Sequence, residues 1–444
     1  MRQAPTDLGT HVVPVSPLTA DLPGVGGRLR ERPEDFFVEE QPLYTPCGDG
    51  EHVYLFVERR NLSTLDVARR LARHFGVRDS AVGFAGLKDK RAVTRQVFSI
   101  HTPGKALEDF PSIRDERLTV LWADRHANKL RRGHLAGNRF SIRIRGVEPT
   151  KVLVARATLD RLARVGVPNR IGEQRFGYMG RNHLIGRAIV IADWRAALDA
   201  LLSPDPAVHD GQRDARELYA RGEFDDARRA FAPASRTERR VLDALARGAT
   251  PERAVRAIDR MEAGFFLTAF QSAVFNAVLD RRIAAGALGT LAAGDVAMKH
   301  VNRAPFTVCE ETLAEPGFAE RLARFEISPS GPMWGVSMLR ASGPTNDTEI
   351  AALHAFGVSE ADVTQTERRS LPLPGERRPL RVPLTDPDVE GGMDEHGPYV
   401  RVAFDLPRGA FATTVLREIM KPQHTGSPAD DGEGPDEEPD PDVH

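Results

Sequence analysis

Cysteine is almost missing from this 444-residue chain, which has only Cys47 and Cys309. They share no metal or redox spacing, so a reducing compartment and two structural thiols are expected. No apolar run approaches the ~18 residues that a membrane span needs. The opening MRQAPTDLGTHVVPVSPLTADLPG lacks the basic start and apolar core of a secretory signal, so a cytoplasmic location with no membrane partner is expected. Also absent are GxxxxGK followed by Ser or Thr, GxGxxG between a strand and a helix, HExxH, paired CxxC and the GxSxG elbow. The 13 histidines form no spaced cluster. These absences argue against phosphate-loop, dinucleotide, zinc-protease and serine-hydrolase chemistry. An enzyme built this way works with its side chains alone, so no cofactor and no metal are expected.

What is present is charge, unevenly spread. The formal net charge is −2, yet residues 430–442 hold eight acids and no base. Setting those aside leaves 61 basic against 55 acidic side chains. The stretch DRHANKLRRGHLAGNRFSIRIR, 124–145, carries seven Lys/Arg and one Asp. A basic stripe of this kind is either a solvated face or the footprint of a phosphate backbone.

The apolar pattern reads as layers. DFFVEEQPLY and HVYLFVERR are strands, the second alternating Val53, Leu55 and Val57 with Tyr54 and Phe56. NLSTLDVARRLARHFGV is a helix capped by Ser63 or Thr64, buried through Leu65, Ala68, Leu71 and Phe75, and closed at Gly76. AVGFAG, AVTRQVFSI, LTVLWAD and RFSIRIRGV are further strands. The last puts Phe140, Ile142 and Ile144 on one face and Arg139, Ser141, Arg143 and Arg145 on the other. TKVLVARATLDRLARVG is a second helix. The first ~165 residues therefore predict a sheet with helices packed on it, an α/β or α+β design. After Gly166 the pattern turns mainly helical to about 282, then mixed over 290–377. YVRVAFDLPRGAFATTVLREIMK, 399–421, returns to strand, turn and helix. The middle thus reads as an insertion, with the late strand completing the first sheet. Residues 1–27 read as an irregular lead-in and 422–444 as a disordered acidic tail.

GFAGLKDKRAVTRQ, 83–96, sets one carboxylate, Asp89, among Lys88, Lys90, Arg91 and Arg95, just after Gly83 and Gly86. On residue types alone this is either a charge-balanced surface bend or a nucleophile facing a polyanion. The stretch resembles the signature of the TruD family of tRNA pseudouridine synthases. RERPEDFFVEE (30–40), GNRF within 134–145, GVPNRIGEQRFG (166–177), FQSAVFN (270–276) and LPRGAFATTVLREIM (406–420) resemble other motifs of that family, in its order. Together they span residues 30 to 420. One departure is that the family usually has an aromatic pair after Pro-Asn, where this chain has Arg170 and Ile171.

The resemblance implies an isomerase that converts a uridine of tRNA, typically at position 13, to pseudouridine without cofactor or metal. It implies a pseudouridine-synthase catalytic domain with a mixed, largely antiparallel sheet over 28–165 and 378–421. A mainly helical insertion domain would occupy 166–377. The family's catalytic aspartate falls on Asp89, and the basic residue that pairs with it falls on Arg30. Phe36, Phe140 and Phe411 fall on the family's active-site phenylalanines, and Asn138 on its uracil-contacting position. An ionised Asp can attack sugar C1′ or base C6, or take a proton in an elimination, and the sequence leaves all three routes open. An amide offers donor and acceptor to a uracil edge, and aromatic faces hold flipped bases.

Lys88, Lys90, Arg131, Arg132 and Arg175 are the expected phosphate contacts, with the GEQRFG loop open between RNA contact and interdomain hinge. The expected partner is tRNA and the expected state a monomer. Two other readings remain at this stage: a non-catalytic RNA-binding or RNA-folding module of the same fold, and a hydrolase acting through an aspartyl intermediate.

Overall fold

The computed structural model describes residues 17–205, 211–369, 371 and 373–421. The expected acidic tail and most of the lead-in lie outside them. The described chain forms two compact units, one of residues 17–167 and 382–421 and the other of 168–381.

The first unit is built on one sheet. Its early elements are β1 (Phe36–Pro42), β2 (His52–Arg60), α1 (Thr64–Phe75), β3 (Val82–Phe84), β4 (Val93–His101), β5 (Leu118–His126), β6 (Leu135–Arg145) and α2 (Val152–Val165). The late strands Thr385–Asp394 and Gly397–Pro407 and the helix Ala412–Met420 complete it. From one edge the order is 385–394, 397–407, β6, β1, β4, β2, β5, with β3 also on β4. Only β1 and β4 run parallel; the other paired strands are antiparallel. From Tyr399 to Pro407 the late strand pairs with β6, Phe404 opposite Phe140 and Leu406 opposite Asn138.

Local chemistry sets the ends of α1. Ser63 and Asp66 form a reciprocal capping box, and Gly76 takes the left-handed C-cap at φ 65. The buried stripe is Thr64, Val67, Ala68, Leu71, Ala72 and Phe75. Leu65, expected inside, is only half-buried. Thr64 takes the inward position instead, its hydroxyl accepting from Arg59 of β2 and from the Lys88 amide of the turn before β4.

The lead-in is irregular but pinned from residue 17 onward. The buried Glu418 carboxylate accepts from the Leu18 and Thr19 amides at 2.8 and 3.0 Å and from the Thr19 hydroxyl at 2.7 Å. The Val25 and Gly26 amides donate to the Ile419 and Met420 carbonyls. At Gly24 a Cβ would meet the Met420 carbonyl oxygen at 2.5 Å, which is why the chain passes there with glycine.

The second unit is helical around Arg260–Ala284, with strands 296–299, 305–307, 327–333 and 376–379 forming a four-stranded sheet. By length and composition this helix is apolar enough to cross a membrane, but 72% of its apolar window is buried inside the unit. Phe270, Val274, Trp334 and Phe356 centre that core. The motif residues here tie loops to it. The Asn276 amide accepts from the Ile171 N–H and donates to the Ile171 carbonyl, both at 3.0 Å. Arg170 pairs with Asp280, so an ion pair and a side-chain clamp hold the segment where an aromatic pair was expected.

Candidate active site

Asp89 lies on the turn between β3 and β4. Its Oδ2 accepts from Arg30 Nη2 at 2.9 Å, and both side chains remain partly open, 27% and 29% exposed. The Arg30 guanidinium also covers the Phe36 ring at 4.7 Å from its centroid. Arg30 takes φ 57, an unfavourable backbone for a residue with a Cβ. Strain of that kind persists only where surroundings hold it, and here the carboxylate and the ring do so.

Beneath the turn is a buried polar network. Glu40 of β1 and Asn138 of β6 are direct cross-strand partners. Lys88 reaches between them, its Nζ 3.0 Å from Glu40 Oε2 and donating to Asn138 Oδ1 at 2.7 Å. Glu40 also accepts from the Gln96 amide and the Val97 N–H. Arg59, buried at the end of β2, donates to the Lys88 carbonyl at 3.1 Å, to Thr64 and Thr94 hydroxyls and to the Leu62 carbonyl. Burial pulls the Arg59 pKa down to about 10, against the opposing attraction of Glu40, Asp89 and Asp66. The backbone carrying Asp89 is therefore held from below by paired, desolvated groups, the arrangement that fixes a reactive side chain within a narrow range of positions.

The structure separates the expected contact residues. Arg30, Phe36, Lys88, Asp89, Asn138, Phe140 and Phe411 all belong to the first unit, and Arg175 to the second. Phe36 and Phe140 are 2% and 7% exposed and pack in the sheet's apolar core, whereas Phe411 keeps 39% of its surface open. Lys88 is not a surface phosphate contact: it is buried and committed to Glu40 and Asn138, because a lysine inside needs a charged partner. Lys90 and Arg131 are exposed. Arg132 and Arg175 lie over the rings of Phe84 and Phe265. The basic stripe is also partly spent internally. Arg139 pairs with Asp405, and buried Arg145 with Asp35 and Asp394. The hydrogen bond from Arg145 holds Asp394 down at about 2.

Glu40, Arg59, Gln96 and Asp35 were not singled out from sequence, yet a signal exists. In β1 the inward positions run Phe36, Val38, Glu40; in β2, Val53, Leu55, Val57, Arg59; in β4, Ile100, Phe98, Gln96, Thr94; in β6, Ile144, Ile142, Phe140, Asn138. In each strand the apolar alternation gives way to a polar group: Asn138, Glu40 and Gln96 lie in one cross-strand row, and Thr94 and Arg59 in the row beside it. The two rows make one polar band across the middle of an otherwise apolar sheet face, and such a band marks a site. Among the described residues, no group of three His, Cys, Asp or Glu side chains is arranged to hold a metal.

Comparison with known proteins agrees with this geometry. Residues 13–419 match the family profile described as tRNA pseudouridine synthase D (TruD). The tRNA pseudouridine synthase D of Geobacter metallireducens is 45% identical over 407 residues, covering 91% of this chain and 97% of that protein. That of Geobacter sulfurreducens is 44% identical, covering 92% and 98%. The crystal structure of a TruD protein of Methanosarcina mazei superimposes with a TM-score of 0.80 at 29% identity, covering 90% of this chain and 95% of that one. The mixed sheet is thus that of a pseudouridine synthase. The chain belongs to the tRNA pseudouridine synthase D (TruD) family.

Proposed function

We propose that this protein isomerises a uridine of tRNA, at position 13, to pseudouridine, with Asp89 as the catalytic carboxylate. The observation that carries the reading is the Asp89–Arg30 pair, partly open above a fully paired buried network. Arg30 donates to Oδ2 of Asp89, fixing the carboxylate in place, and leaves its other oxygen for the substrate. In the reaction the C1′–N1 bond breaks, the uracil turns over, and a C1′–C5 bond forms. C5 then gives up its proton and N1, freed of the sugar, takes one up, so no oxidant, metal or external group is consumed. Phe411 supplies an open ring for the flipped base. Asn138 Oδ1 is taken by Lys88, so the amide presents Nδ2 as a donor, which suits a uracil carbonyl and repels the amino group of cytosine. The first unit acts as the catalytic domain and the second as the insertion domain, in a cytoplasmic monomer that does not engage membranes.

Tritium release from [5-³H]uridine-labelled tRNA transcript tests this directly. Wild type releases C5 tritium without releasing free uracil, and Asp89→Ala releases none while still binding tRNA. Binding without tritium release would leave an RNA-binding module, and free uracil would leave a hydrolase; either result overturns the reading.

A further inference from the structure

The first unit has an open groove of about 640 Å³ that lies outside the site described above. Asn61, Leu62, Asp66, Arg69, Arg70, Arg73, Asp79, Lys90 and Arg117 line it, five cations against two carboxylates. Two of the cations are engaged, Arg69 with Asp66 at 3.5 Å and Arg70 with Asp115. Arg73, Lys90 and Arg117 are exposed and have no carboxylate partner among the described residues. Asp66 is committed to the Ser63 cap, which leaves Asp79 as the opposing charge. The lining is polar apart from Leu62, which excludes an apolar ligand or a buried protein interface.

Two features give the groove a direction. Lys90 is the residue after Asp89, so one rim of the groove is continuous with the turn that carries the carboxylate. Arg69 and Arg73 stand one turn apart on α1, a rise of about 5–6 Å along the helix, comparable to the step between neighbouring phosphates of a strand. Arginine forks and a lysine ammonium match phosphodiester oxygens in charge and geometry.

We infer that this groove binds the sugar–phosphate backbone of the tRNA next to the flipped uridine, with Arg73, Lys90 and Arg117 as its principal phosphate contacts. The inference rests on the tRNA-modifying role proposed above and names where that substrate is gripped. A second strand end or an uncharged ligand would leave three unpaired cations without a purpose. A continuous polyanion leaving the catalytic turn neutralises them in sequence.

The test is the salt dependence of tRNA binding by the full chain. Each phosphate contact contributes about −0.9 to the slope of log K against log salt on duplex nucleic acid and about −0.7 on single strands. Arg73→Gln/Arg117→Gln is expected to make the slope shallower by about 1.4 to 1.8 and to weaken binding at least about tenfold near 0.1 M salt. The loss should appear as a higher enzyme concentration needed for half-maximal single-turnover rate. Thermal melting should be unchanged. A charge-matched pair elsewhere, Arg221→Gln/Arg229→Gln, should leave the slope as it is. The inference fails if the groove variant keeps the wild-type slope, if the matched pair lowers it equally, or if inorganic phosphate alone competes as well as tRNA does. A wild type that binds tRNA with the expected slope but makes no pseudouridine would sink the catalytic reading and leave the groove standing.

Discussion

Two sets of buried polar groups, one in each unit, end in opposite ways. In the 168–381 unit they close on themselves. Arg377 and Glu349 form a bidentate pair at 2.9 and 2.7 Å, and Arg377 also donates to the Ser330 carbonyl and hydroxyl. Asn276 clamps both backbone groups of Ile171. In the sheet unit the buried polar chain stops at half-open residues: Lys88 leads to Asn138, and Arg59 holds the backbone of the turn that bears Asp89. Motif residues in the first case fasten a scaffold; in the second they end at surface available to a substrate. Similar residue types therefore have different consequences, decided by whether the network ends inside or at an opening.

The sharpest break of that contrast is Asp89→Asn. It keeps the shape of the turn and should lower pseudouridine formation by more than about 10³-fold, with melting and tRNA binding retained; rapid-quench tritium release reads it. Arg377→Ala should do the reverse. It strands Glu349 in the core, and breaking a buried pair costs about 3–5 kcal/mol. Urea titration should show that loss, while the activity of the fraction still folded stays near wild type.

Lys88→Met separates the two kinds of network most finely. If Lys88 positions Asn138 and the turn, the single-turnover rate falls about 10- to 100-fold, more than stability alone explains, and Lys88→Arg restores only part of it. A variant that melts earlier yet reacts normally would class Lys88 with Arg377. The smallest effect concerns pH. Arg145 lowers the folded-state pKa of Asp394 to about 2 from an ordinary 3.8. Its stabilising contribution is therefore present above pH ~4 and disappears as pH falls through ~2. The melting difference between wild type and Asp394→Asn should shrink over that window and be constant from pH 5 to 7.

Much of the sheet unit is legible in the sequence because period-2 alternation and caps are local signals. Ser63 and Gly76 bound α1 as their chemistry requires, and YVRVAFDLP returns to the sheet beside β6. Asp89 and Arg30 became visible through motif resemblance, since no periodicity links residues 59 positions apart. Lys88 and Arg145 were misread as available charge, because composition records sign but not burial, and each is paired inside with an acid distant in sequence. The support for the turn comes from Glu40, Arg59, Thr64, Gln96 and Asn138 together, and only strand register brings them to one place.

The pairing of β6 with residues 397–407 has a temporal consequence during synthesis. β6 emerges from the ribosome some 250 residues before its second partner strand, so one edge of the sheet stays unsatisfied while the 168–381 unit is made. That helical unit, rich in local contacts, is positioned to fold first, and the N-terminal strap waits for Glu418. Premature termination anywhere before residue 397 would release a chain with an open strand edge, a natural target for quality control.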